Sequence, residues 1–273
     1  MSKKVILITG ASSGIGKATA LQLLQEGYVV YGAARRVEKM ADLEAKGMHA
    51  LAMDITKDEE IQRVVNTIQE AHGGIDVLVN NAGFGLYGAV EDTTMDDARY
   101  QFEVNIFGLA RLTQLALPYM REQKAGTIIN ISSMGGKIYF PLGAWYHATK
   151  HALEGWSDSL RLELKQFNIK VVIVEPGAIA SEFGDVVGPQ MLERSGSGAY
   201  ATLTKNIAEA LKKSYEQGGS SPTSVIAKVI SKAIKARKPK TRYVAGKYAG
   251  TMLFLRRWLS DDLFDKVALS MAK

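Results

Sequence analysis

From residue 5 the chain reads VILIT, a glycine-rich turn, an apolar-periodic segment from Lys17 to Glu26 and then YVVYGAA. That order is strand, turn, helix, strand, a βαβ unit. Further short apolar runs follow, LAMD, DVLVNN, GTIINIS and KVVIVEP, separated by helical periodicity over about 59–72, 96–122 and 146–167. These runs are continuously apolar rather than alternating, which marks strands buried on both faces. Joined by helical crossovers, they predict an α/β fold: a doubly wound parallel sheet of about seven strands flanked by helices. Ligands of such sheets bind beyond the carboxyl ends of the strands, so functional residues are expected there.

The pattern changes after the sixth strand. Between Phe183 and Ser221 the stretches GDVVGPQ, RSGSGAY and EQGGSSP bracket a helical segment of about Leu203 to Glu216. A connection this long inside a compact domain is usually functional, and residues 183–221 read as a mobile lid over the substrate side. A helix from about Thr223 to Arg237, a seventh strand near Thr241 to Ala245 and a tail over 246–273 with Trp258, Leu259 and Phe264 complete the chain. The whole of 1–273 is expected to form one domain, and no internal repeat is visible.

Composition narrows the function classes. The 273 residues are 47% hydrophobic and 23% charged, ordinary for a globular protein, and include no cysteine. Disulfides, thiolate catalysis and cysteine-ligated metal are thereby excluded, and redox work would need a borrowed cofactor. The N-terminal MSKKVILITG enters a strand directly, without the apolar core and small-residue cleavage site of a signal peptide, so a cytoplasmic protein is expected. No uncharged apolar run reaches the roughly 18 to 20 residues of a membrane span; the nearest, Tyr248 to Leu255, ends at Arg256 and Arg257. The net charge of +6 is scattered, with no aromatic RNA-binding signature beside it, so it reads as solvated surface and not as a nucleic-acid site.

Chemistry enters at TGASSGIG, Thr9 to Gly16, between a strand and a helix. Gly10 can adopt a positive φ after the strand, Gly14 lets a pyrophosphate approach the backbone, and Gly16 permits close packing of helix on sheet. The helix N-terminus then offers amide donors to an anion. The spacing G-x-x-x-G-x-G has one residue more than the common dinucleotide fingerprint. In that spacing the loop resembles the cofactor loop of the short-chain dehydrogenase/reductase family, a single-domain Rossmann-type fold. The resemblance implies cofactor contacts from Gly10, Ser12, Ser13, Gly14, Ile15 and Gly16. The second strand ends without a carboxylate and runs into Arg35 and Arg36. An acidic residue there would accept from a ribose 2′-OH, whereas arginine pairs with a 2′-phosphate, so NADP(H) is favoured over NAD, with Arg35 the first choice and Arg36 the second.

In AWYHATKHALEG, Tyr146 and Lys150 stand at i and i+4 and share a helical face. A neighbouring positive charge favours phenolate and would lower the tyrosine's pKa. Alone, the pair reads as an ordinary amphipathic feature. In this chain it resembles the family's Y-x-x-x-K motif, thirteen residues after Ser133 in NISSMGG. The resemblance implies that Ser133 hydrogen-bonds the substrate oxygen, Tyr146 acts as general acid/base, and Lys150 lowers the phenol pKa and holds the nicotinamide ribose. It further implies that Asn105 in EVNIFG kinks its helix and links the lysine to a water relay. Asn81, Ala82 and Gly83 in NNAG would line the adenine side, Asp54 and Ile55 in LAMDI would contact adenine, and Pro176, Gly177, Ile179 and Ser181 in EPGAIASEF would close over the nicotinamide. The segments VYGAARR, NNAGFGLYGAVED and RYVAG are most similar to the 17β-hydroxysteroid and retinol dehydrogenase-like branch. A lipophilic, steroid- or retinoid-like carbonyl or alcohol is in keeping with that branch, although a substrate does not follow from branch resemblance. The two long helices at 96–122 and 146–167 resemble those through which family members form dimers and tetramers, which implies a homodimer or homotetramer. Phe84, Leu86, Tyr139 and Trp145 are the expected pocket shapers.

Other chemistries fit less well. His147 and His151 could share a helical face as metal ligands, but no HExxH pattern forms and no metal is expected. Both read as bystanders. NISSMGG is not a G-x-S-x-G elbow, so a hydrolase has no support. A non-catalytic dinucleotide-sensing protein on the same fold is the main alternative, and the presence of Ser133, Tyr146 and Lys150 argues against it. The tail could lie in a lipid interface, although packing on the domain or on a partner subunit is preferred.

Overall fold

The computed structural model describes residues 3–216 and 218–270 of the chain. Its strands and helices alternate from the start: β1 Val5–Thr9, α1 Gly14–Gln25, β2 Val29–Ala34, α2 Ala41–Glu44, β3 His49–Ala52, α3 Asp58–His72 and β4 Val77–Asn80. Then come α4 Met95–Phe102, α5 Gly108–Glu122, β5 Gly126–Ile131, α6 Ala144–Leu164, β6 Ile169–Pro176 and β7 Ile179–Ala180. The last part holds α7 Glu182–Ser195, α8 Ala201–Glu216, β8 Ser221–Pro222, α9 Thr223–Lys235, β9 Arg242–Ala245, α10 Ala249–Trp258 and α11 Asp261–Ser270.

Seven strands form one parallel sheet in the order β3-β2-β1-β4-β5-β6-β9, while β7 and β8 pair separately. The strand order reverses between β1 and β4, which opens a crevice at their carboxyl ends where a nucleotide can enter. Continuous burial follows the continuous apolar runs: every residue of β1 and β4 is buried. One core layer joins the sheet to α3, α5 and α6 through Leu7, Leu78, Ile128, Val64 and Leu112. The other joins it to α1 and α9 through Ile6, Val79, Leu23, Ile226 and Ile230. In α3 the buried residues Ile61, Val64, Val65 and Ile68 fall at the spacing of one helical face.

Three elements differ from the sequence-based expectation. The helix expected over 96–122 is interrupted by a π-helical segment, Glu103–Phe107, centred on Asn105. Such a segment is a recognised cause of a helix bend, in keeping with the kink the resemblance implied. GDVVGPQ, expected as lid loop, lies inside α7 despite Gly184, Gly188 and Pro189. Tertiary packing overrides its breakers: Val187 and Met191 are buried, and Met191 belongs to a cluster with Ala89, Leu142, Leu203, Ile207 and Leu211. The described part of the tail is also helical. Met252, Phe264 and Ala268 pack on Ile138, Met134 and Tyr139, so the tail docks on its own domain. Residues 271–273, the end of the expected tail, lie outside the described part. No described helix is long and apolar enough to cross a membrane.

Candidate active site

The phosphate loop takes its shape from the glycines that the sequence placed there. Gly10 has φ +67° and Gly14 φ +55°, a region that residues with a Cβ rarely adopt. A Cβ on Gly16 would run into the Gly10 carbonyl and stand 2.5 Å from Asn81 Nδ2, so Gly16 serves close packing and does not line the cavity. Asn81 Nδ2 donates to the Thr9 carbonyl at 2.8 Å, and Thr9 Oγ1 accepts from the N–H groups of Asn81 and Ala82. This clasp holds the turn after β1 against the end of β4. Ser13 at the head of α1 makes no side-chain cap and the first turn has no acidic residue, so the helix presents uncapped amides to the crevice.

A cavity of about 630 Å³ opens at these strand ends. Every other sequence-predicted cofactor position lines it: Gly10, Ser12, Ser13, Gly14, Ile15, Arg35, Arg36, Asp54, Ile55, Asn81, Ala82, Gly83, Tyr146, Lys150, Pro176, Gly177, Ile179 and Ser181. At its outer end Arg35 Nη1 donates to Tyr100 Oη at 3.0 Å. Arg36 Nη2 reaches Ser13 Oγ at 3.3 Å and the Glu182 carboxylate at 2.7 Å. Asp54 Oδ1 accepts from the backbone N–H and hydroxyl of Thr56, which fixes the turn after β3.

At the inner end Ser133, just past β5, meets Tyr146 and Lys150 on α6. Ser133 Oγ accepts from the Gly135 N–H at 3.0 Å and faces the Tyr146 phenol, whose charged form it favours. Lys150 Nζ donates to the Ile131 carbonyl at 2.9 Å and lies 6.0 Å from the Tyr146 ring centroid. The expectation that Lys150 depresses the phenol pKa is not met within the protein alone. Burial is the largest influence and pushes Tyr146 up to about 12, with the Ser133 hydroxyl opposing it. Burial likewise brings Lys150 down to about 8, with the Glu154 carboxylate pulling the other way. The phenol is therefore protonated at neutral pH, the state of a proton donor.

Asn105 does not line the cavity. It is buried, its Oδ1 accepting from the Phe84 N–H at 3.1 Å and its Nδ2 donating to the Phe84 carbonyl and Thr149 Oγ1. It thereby ties the strand-end loop, the π segment and α6 together. Behind Lys150 lies a charged cluster that sequence reasoning missed. Arg242 of β9 meets Glu154 at 2.9 Å, Asp158 at 2.6 Å and Glu175 at 3.3 Å, and Lys137 meets Glu175 at 3.0 Å. Burial raises the Glu154 pKa, and the nearby Ser132 hydroxyl and the Arg242 hydrogen bonds oppose it. The i, i+4, i+8 series Lys150, Glu154, Asp158 was the available signal.

The substrate side of the cavity is walled by Phe84, Tyr87, Phe183, Val187, Ile207 and Leu211. Tyr87 and Phe183 stand 5.6 Å and 5.4 Å from the Tyr146 ring, centroid to centroid. Of the expected pocket shapers only Phe84 is there. Leu86 is core, Tyr139 packs on Phe264, and Trp145 packs on Phe102 outside the cavity. The lid residues fall in the segment 183–221 expected over the substrate side, whereas Tyr87 gave no sequence signal of its own, because an apolar position looks the same against a core or a ligand. Among the described residues no group of three His, Asp or Glu side chains could hold a metal ion.

The family model for short chain dehydrogenases matches residues 4–191. The chain is 35% identical over 265 residues to a 3-ketodihydrosphingosine reductase of Bacteroides thetaiotaomicron, covering 96% of both. It is 32% identical to an NADPH-dependent 3-dehydrocapnine reductase of Ornithobacterium rhinotracheale, covering 96% of this chain and 94% of the relative. Among solved structures, a short-chain dehydrogenase from Streptomyces avermitilis superposes with a TM-score of 0.79 at 36% identity, over 99% of this chain and 95% of the other.

Proposed function

The chain belongs to the short-chain dehydrogenase family, and on that premise we propose that it is an NADP(H)-dependent oxidoreductase interconverting a lipophilic ketone and its secondary alcohol. The observation that carries this reading is the meeting of Ser133, Tyr146 and Lys150 at the inner end of one cavity whose outer end is lipped by Arg35 and Arg36. The dinucleotide fits the residues present: two positive-φ glycines leave a bare backbone cradle beside an uncapped helix N-terminus. Gly10, Ser12, Ser13, Gly14 and Ile15 would hold its pyrophosphate, Asp54 and Ile55 its adenine, and Arg35 and Arg36 the 2′-phosphate. When bound, it supplies the hydride that no side chain here can provide.

The chain's own residues do the rest. Ser133 orients the substrate oxygen, and Tyr146 gives up its phenolic proton to that oxygen as carbon is reduced, leaving an alcohol and a phenolate. The Lys150 ammonium, one helical turn away, stabilises that phenolate and would hold the nicotinamide ribose. The two relatives support a ketone by name, 3-keto in one and 3-dehydro in the other, and one is NADPH-dependent by name. The lobe formed by Tyr87 with α7 and α8 supports a steroid-, retinoid- or long-chain-like substrate, since Phe183, Val187, Ile207 and Leu211 offer it only apolar surface. The α7–α8 pair, which takes up most of 183–221, covers that lobe as a lid. Absence of cysteine accords with a cytoplasmic setting, and the exposed apolar side chains Phe107 and Leu162 support a homodimer or homotetramer.

The test is a spectrophotometric screen of aldehydes, ketones, steroids and retinoids with NADPH, followed by Tyr146→Phe. That variant should lose about 10²- to 10⁴-fold in turnover, with NADPH binding intact. Wild-type turnover in Tyr146→Phe would remove the proton-transfer assignment.

A further inference from the structure

We propose that His147 is a positioning residue: it clamps the loop from Ser133 to Phe140 onto the helix that carries Tyr146, and so sets the geometry between serine and tyrosine. The inference rests on the assignment of Tyr146 as proton donor. His147 is 5% exposed, and both of its ring nitrogens face backbone groups of that loop. Nε2 lies 3.1 Å from the Phe140 N–H, and Nδ1 lies 3.0 Å from the Gly135 carbonyl. An amide N–H can only donate, so Nε2 must accept, and the ring's single proton then sits on Nδ1 and is donated to Gly135.

From Gly135 the connection continues to the reaction centre. The Gly135 N–H donates to Ser133 Oγ at 3.0 Å, and the serine hydroxyl faces the Tyr146 phenol closely enough to favour its charged form. The serine loop is thus held to α6 through His147, beside the tyrosine, and cannot shift without breaking the bonds at Gly135 or Phe140. The slot for the ring is made by glycines: a Cβ on Gly135 would stand 3.0 Å from Nδ1, and one on Gly143 would stand 2.8 Å from Cδ2 and Nε2. Tyr146 and Phe140 close over the ring at 5.6 Å and 6.1 Å between centroids. The far end of the loop, Phe140 and Pro141, is itself cavity wall. His151 takes no part, since its Nδ1 pairs with the His147 carbonyl on its own helix at 2.9 Å.

Two measurements test the clamp. Long-range nitrogen–proton NMR of histidine-labelled wild type reads the tautomer without any turnover. A His147 signal protonated at Nδ1 only, from pH 8 to 6, is expected, and an Nε2–H tautomer overturns the proposal. Kinetics with NADPH and 2-dodecanone as probe ketone then compare His147→Leu with His147→Asn, whose amide can still donate to Gly135. His147→Leu should lower kcat about 10- to 100-fold, in the range of one lost general-acid geometry, with NADPH KM within about threefold and part of kcat restored in His147→Asn. Unchanged kcat in His147→Leu, or equal loss in both variants, overturns it. Failure of the wild type itself to turn over any ketone would count against the proposed function and leave the tautomer result standing.

Discussion

Lys150 Nζ donates to the backbone carbonyl of Ile131 at 2.9 Å, tying the helix that carries the candidate proton donor to the strand that leads to Ser133. The ammonium is buried, and that burial rather than a charged neighbour brings its pKa down to about 8. Tyr146, at about 12, keeps its proton far above that value. The rate of ketone reduction should therefore be flat from about pH 6 to 7 and fall toward tenfold per pH unit above about 8, as Lys150 turns neutral and no longer stabilises the phenolate. A pH profile of kcat/KM checks this, and Lys150→Ala should remove the inflection near 8 along with most of the rate.

Cofactor choice rests on Arg35 and Arg36. The Arg36–Glu182 pair is 45% exposed on both sides, so solvent screens it and the guanidinium is available to a stronger anion. Replacing both arginines with alanine should weaken NADPH binding by at least about tenfold, the cost of charge-assisted bonds to a phosphate, and leave NADH within about twofold. Fluorescence titration with the two nucleotides measures it. Equal losses would show that neither arginine reads the 2′-phosphate.

His147 also predicts an acid-sensitive stability. Burial lowers its pKa to about 4, against 6.5 for an ordinary imidazole, with the Gly135 hydrogen bond opposing. Between these values the unfolded chain binds the proton and the folded chain does not. Stability is thus whole above pH 6.5 and is lost as pH falls toward 4, by about 3 kcal/mol. Urea unfolding across pH 4 to 7 should show a smaller acid loss in His147→Leu than in wild type, and parallel curves would exclude this histidine as the cause.

Gly16→Ala tests the close approach behind the phosphate loop. Its new methyl would meet the Gly10 carbonyl and Asn81 Nδ2, both fixed by other bonds. Overpacking of this kind costs about 1–3 kcal/mol, so the variant should melt several degrees lower and bind NADPH more weakly. Gly27→Ala is a contrast for methyl contact alone, since its Cβ would touch nothing within 4 Å although its φ is +83°. Gly27→Ala should lose stability from backbone strain and keep NADPH affinity.

Much of this molecule was legible in the sequence. Continuous apolar runs such as VILIT and KVVIVEP demanded strands covered on both faces, and α3 showed its buried stripe directly. The phosphate loop was legible because glycine spacing is a backbone property, set locally by which residues can adopt a positive φ. Serine, tyrosine and lysine were legible as types at a spacing, through a resemblance.

The tertiary structure decided everything that depends on which faces meet. Met191 made a helix of a stretch rich in glycine and proline, because burial against Leu142 and α8 outweighed local propensity. Trp145 and Tyr139 pack outside the pocket while Tyr87 lines it, since an aromatic residue's wish to be buried does not specify its partner. The pKa order of Tyr146 and Lys150 likewise followed from burial, a quantity no linear spacing contains. His147 carries the same lesson: its neighbours in sequence are Tyr146 and Ala148, and its function is written in the backbone of Gly135 and Phe140, which only folding brings to it.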